Sequence, residues 1–139
     1  MTERTNDEVR RAIAEALGWR CEVTEGGGRK LIRPGQSPLY AKWQADLAEK
    51  MFWDEVPDWP NDPGAALALC LEIARERGWT LFQQPVRIGV VCWFADPDTD
   101  QVFPPYHTSQ FPGVYADEPA EALARLALAG IEAQAVSDE

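Results

Sequence analysis

His107, in the stretch PPYHTSQ, is the chain's only histidine. A lone imidazole titrates near neutral pH and acts as a general base when a nucleophile or an acid stands beside it. Thr108 and Ser109 follow at once, but sequence neighbours rarely form a catalytic pair, so His107 reads as a surface or loop-packing residue. Asp96, Asp98 and Asp100 alternate in DPDTD like the head of a calcium loop. The rest of that pattern fails. Counted from Asp96, the sixth position holds Gln101 where the turn needs glycine, and the twelfth holds His107 where a bidentate glutamate closes the site. A solvated turn is expected, with no metal and no cofactor.

EGGGRK (25–30) sets glycine N–H groups among cations, as an anion cradle does. It lacks the Gly-x4-Gly-Lys-Ser/Thr pattern, and no helix opens directly after it, so a hairpin tip is the simpler reading. Positions 19–33 nevertheless form a net-basic window in an acidic chain. Arg20, Arg29, Lys30 and Arg33 are therefore the candidates for binding an anion or small ligand.

Two other stretches mix aromatic and acidic residues on proline-interrupted backbone. Their candidates for contacting a partner are Trp53, Asp54, Glu55, Asp58, Trp59, Phe103, Tyr106 and Phe111. Aromatics within a polar rim make anchors at protein interfaces. The competing reading is that each ring pins a long loop to the core.

These residues need elements to hold them. Asn6 is expected to cap a first helix that carries Val9, Ile13, Ala16 and Leu17 on one face and stops at Gly18. Residues 19–33 read as a β-hairpin with Trp19, Cys21 and Val23 on one side. Helical spacing of Tyr40, Trp43, Leu47 and Met51 suggests a helix over about 39–52. The stretches NDPGAALALCL (61–71) and ADEPAEALARL (116–126) then open alike, each with an Asp, an early Pro and alanines and leucines. Both predict a helix with Pro in its first turn, capped by Asn61 or Asp62 in one and by Asp117 in the other. The buried stripes are expected at Ala66, Leu69, Cys70 and Ile73, and at Ala122, Leu123, Leu126, Ala127 and Ile131. Between them, 79–84 and 86–95 read as strands, the second apolar enough to be covered on both faces. A short strand is expected to begin at Gln101.

Short strands joined by tight turns favour an antiparallel sheet of about four strands, covered by helices. The fold class is α+β, sandwich-like, in a single domain over 1–139. The formal net charge of −10 and the pI near 4.5 disfavour direct nucleic-acid binding, which needs a basic face. No apolar run reaches the roughly 18 residues that span a bilayer, and the start MTERTNDEVRR carries no apolar signal core, so a cytoplasmic protein is expected. Three widely spaced cysteines, Cys21, Cys70 and Cys92, form no CxxC and read as reduced thiols packed like small hydrophobes.

ALGW (16–19), NDPGAALAL (61–69), GWTLF (78–82) and ADEPAEALARLAL (116–128), in that order, resemble the phage ABA-sandwich family of small phage and prophage proteins. The resemblance implies a helix–sheet–helix fold and a phage-type origin, and it carries over no catalytic residue. The expectation is a non-enzymatic accessory protein that binds a host or phage protein, one with a basic surface, as an antagonist of host defence would. The alternative is a small-molecule or nucleotide sponge that uses the basic hairpin.

Overall fold

The computed structural model describes residues 4–23, 28–41, 54–87, 89–104 and 113–137. The chain divides into two compact units, one of Arg11–Pro57 and one of Met1–Arg10 with Asp58–Glu139. Both combine helix with antiparallel sheet, so the fold is α+β. The strands number seven among the described residues, in one sheet of three and one of four.

α1 (Asn6–Leu17) is capped by Thr5, one residue before the Asn6 expected from sequence. The Glu8 N–H donates to Thr5 Oγ1 at 3.2 Å, and the Thr5 N–H donates back to Glu8 Oε1 at 3.3 Å. Two otherwise orphaned donors are thus satisfied reciprocally. Gly18 ends the helix at φ 103°, as expected.

In the smaller unit, β1 (Arg20–Val23), β2 (Arg29–Ile32) and β3 (Leu39–Ala41) pair in that order. The hairpin pairs Cys21 with Leu31 and Glu22 with Lys30. Leu31 is fully buried, whereas Cys21, on an outer strand, is exposed rather than packed. The helix expected over 39–52 is replaced by strand at its start, and its remainder lies outside the described residues.

The larger unit holds α2 (Pro63–Arg77), β4 (Thr80–Val86), β5 (Gly89–Asp96), β6 (Gln101–Phe103), β7 (Val114–Ala116) and α3 (Pro119–Ser137). β5 is central. It pairs with β4 along one edge and with β6 and β7 along the other. β7 is a strand not expected from sequence. Its approach depends on glycine: a Cβ at Gly89 would stand 2.4 Å from the Ala116 carbonyl oxygen.

Asp62 caps α2 by accepting from the Gly64 and Ala65 N–H groups, with Pro63 first in the helix and Gly78 closing it at φ 71°. Its buried face is Ala66, Leu69, Cys70, Ile73 and Ala74. α3 differs from expectation at its start. The Ala122 N–H donates to the carbonyl of Glu118, directly before Pro119, and the Asp117 carboxylate instead accepts from the Tyr115 hydroxyl at 3.1 Å. α3 is also buried more fully than one stripe, through Ala120, Ala122–Ala124 and Leu126–Leu128. A helix apolar nearly all round is an interior helix.

Both helices lie on the β5 face that carries Val90, Cys92 and Phe94. A Cβ on Gly130 of α3 would meet Ile73 of α2 and Phe94 of β5, each at 3.3 Å. The Cys70 thiol donates to the Leu123 carbonyl at 3.0 Å, tying α2 to α3. Small residues let helix and sheet approach this closely, which is what the alanine-rich runs provide. The opposite face carries Phe82 stacked on Trp93, ring centroids 5.4 Å apart and 11° from parallel. Phe82 and Tyr115 stay exposed on it, whereas Val91 of β5 on the same face is buried to 2% exposure, so β5 is covered on both faces as its apolar sequence predicts.

Candidate functional site

The acidic and aromatic candidates separate into different roles. Trp59 is buried to 5% exposure, and Phe103 is half-buried and stacked on Trp79 at 5.4 Å. Both rings pack inward. Asp58 accepts from the Asn61 side-chain amide at 3.1 and 3.2 Å, which fixes the turn leading into α2. Asp54 and Glu55 are exposed. Trp53, Tyr106 and Phe111, like His107, lie outside the described residues.

The cationic candidates face acids. Arg20 pairs with Glu22 at 3.2 Å, and Lys30 stands directly across the hairpin from the same Glu22. Arg33 holds the Ser37 carbonyl and lies 3.6 Å from Glu55. The structure thus joins one residue of the cationic set to one of the acidic set. Arg29 belongs to β2, and nothing is described of its side chain.

Asp96, Asp98 and Asp100 form a turn in which Asp96 Oδ1 accepts from the Asp98 N–H at 2.9 Å. Among the described residues no group of three or more His, Cys, Asp or Glu is placed to hold a metal ion. Cys70 and Cys92 are fully buried, and both thiols are pushed up to about 12 by burial, Cys70 further by Cys92. Neither is a nucleophile at neutral pH. The Tyr115 hydroxyl is held above its usual range by desolvation and then by its hydrogen bond to Asp117.

The two matching helix openings meet in space. Asn61 and Pro63 of one and Glu118, Pro119 and Glu121 of the other line a single cleft, with Asn6 beside them. Arg125 is anchored at its rim by Glu121 and by Asn6 Oδ1.

A second concave surface was not read from the sequence. A groove of about 580 Å³ runs between α2 and β4, lined by Leu67, Leu71, Ala74 and Arg75 on the helix side and by Trp79, Thr80, Leu81 and Gln83 on the strand side. Leu67 is 40% and Leu71 52% exposed, unusual for large apolar side chains on a helix already burying another face. They lie four residues apart, outside the Ala66–Leu69–Cys70–Ile73 stripe. β4 is an outer strand whose far edge pairs with nothing among the described residues. Two sequence signals pointed here: α2 has more apolar positions than one stripe uses, and Pro85 within a strand marks an outer one.

No family model, curated protein or solved structure matches this chain.

The groove is therefore judged on its own chemistry. Its lining holds no acid–base pair and no nucleophile beyond the Thr80 hydroxyl. It offers apolar contact, a strand edge unpaired among the described residues, and one guanidinium. Among the described residues no helix is long and apolar enough to cross a membrane.

Proposed function

We propose that this chain is a small acidic accessory protein of the phage or prophage type that acts in the bacterial cytoplasm by binding a protein partner, not by catalysis. One observation carries the reading: Leu67 and Leu71 stand in water beside a strand edge that is open among the described residues. Clustered exposed apolar side chains rimmed by polar ones mark interaction surfaces. The net charge of −10 supports a partner with a basic surface, because it speeds encounter with such a protein and slows encounter with polyanions. An antagonist of a host defence protein fits this description. The nucleotide-sponge alternative draws less support, since Arg20 and Arg33 already face acids.

The test is affinity capture from bacterial lysate at low and high salt, with the wild-type chain beside the Leu67→Asp/Leu71→Asp double variant. A partner retained by the wild type, lost by the variant and weakened by salt is the expected result. Equal capture by both proteins, or none by either, would remove this reading.

A further inference from the structure

We propose that the α2–β4 groove receives an extended segment of the partner, paired to β4 as an added strand, with its carboxyl end at Arg75. This rests on the protein-binding reading above and specifies how the partner enters.

The backbone of β4 supports the pairing. In an antiparallel ladder, successive residues alternately turn their N–H and C=O toward the neighbouring strand and away from it. Pro85 has no N–H to give to β5, so it takes an outward-facing position opposite Val90. Leu81 and Gln83 share its parity, opposite Phe94 and Cys92. Both therefore direct N–H and C=O to the open edge, while Pro85 offers only its carbonyl. This is the template that strand addition uses.

The side chains around that edge set the chemistry of the guest. Residues of an added strand opposite Leu81 and Gln83 emerge on the helix side, against Leu67 and Leu71, and should be apolar. The residue between them emerges on the other side, beside the exposed ring of Phe82.

Direction follows from Arg75. α2 and β4 are joined by a tight turn at Gly78, so Arg75 lies at the end of the groove where β4 begins. An antiparallel guest would finish there. Arg75 is exposed and has no ion-pair partner among the described residues, so it is available to a carboxylate. A second copy of this chain is the less favoured guest, because each copy carries a net charge of −10.

The experiment selects short random peptides with free carboxyl ends against the wild-type protein, then measures the selected peptides against three variants. Gln83→Pro removes one outward N–H at a position where an outer strand tolerates proline. Leu71→Lys charges the groove wall, and Arg75→Glu reverses the terminal charge. Each variant is first shown to melt as the wild type does, and any that does not is replaced by Gln83→N-methyl-Gln or Leu71→Ser. The expected result is peptides with alternating apolar residues whose affinity falls about tenfold or more with each variant and on amidation of the carboxyl end. Failure to select any peptide overturns the proposal. So do peptides that bind Gln83→Pro as tightly as wild type, or a wild-type dimer in light scattering that Leu71→Lys dissociates. A protein partner captured equally by wild type and Gln83→Pro, but lost by the Leu67/Leu71 double variant, would leave the protein-binding reading intact and remove this one.

Discussion

Pro63 and Pro119 open two helices from distant parts of the chain and line the same cleft. The matching punctuation of the two openings therefore has a spatial counterpart. Both helices start at one end of the sheet and run over the same face, so both must turn from loop to helix abruptly.

The caps predict different sensitivities. Asp62→Ala removes an acceptor from two backbone N–H groups and should destabilise the fold by about 1 kcal/mol. Asp117→Ala, whose carboxylate accepts instead from an exposed tyrosine, should cost well under about 1 kcal/mol. Urea unfolding of the two variants distinguishes them. Equal losses would mean that Asp117 caps α3 after all.

The thiols should divide by burial. Cys21 is exposed, whereas Cys70 and Cys92 are buried, so iodoacetamide should add once to the native protein and three times after denaturation. Mass spectrometry reads the number directly.

Stability should also fall in alkali. Folded Cys70 and Cys92 titrate near 12, while an unfolded thiol titrates near 9.0. Below pH 9 both states keep these protons and the thiols add no pH dependence. Between about 9 and 12 the unfolded chain releases protons that the folded chain retains, so stability declines as pH rises, by on the order of 1 kcal/mol per pH unit for each thiol. A Cys70→Ala/Cys92→Ala variant should show a flatter alkaline limb in denaturant titrations.

Gly113→Ala should loosen β7. Gly113 sits at φ 99°, and a Cβ there would come within 2.2 Å of the Cys92 carbonyl oxygen. Both strain and overlap oppose the substitution, so a loss of about 2 kcal/mol or more is expected in urea unfolding. Hydrogen exchange should show the loss first at Val114–Ala116.

Arg77→Met should leave stability unchanged or raise it by about 1 kcal/mol. The Arg77 guanidinium lies 4.8 Å above the Trp79 ring, but its buried Nε and Nη2 have no hydrogen-bond partner among the described residues. Methionine keeps apolar contact with the ring and removes the unsatisfied donors. A loss above about 2 kcal/mol in thermal or urea unfolding would show that the cation–π contact outweighs that penalty.

Local rules were legible where neighbours in sequence decide the outcome. The α2 cap, its first-turn proline, the Gly78 stop and the stripe Ala66, Leu69, Cys70 and Ile73 all follow from short-range geometry, and the structure has them. The same rule, applied more strictly, places the α3 cap directly before Pro119, at Glu118 rather than Asp117. The spacing predicts a strand over 79–84, yet β4 runs on through Pro85 to Val86, because an outer strand accommodates proline on its unpaired side.

The amino-acid order alone determined the helices α1, α2 and α3, the α2 stripe, the strands β4 and β5 and the net acidic charge, because each depends on residues a few positions apart or on summed charge. Tertiary structure decided which strand lies outermost, that Leu39–Ala41 is strand and not helix, that β7 pairs with β5, and that Arg33 meets Glu55. It also decided that Leu67 and Leu71 stay in water. A helix can write more apolar positions than one face holds, and only the neighbours packed against it settle which of them are covered.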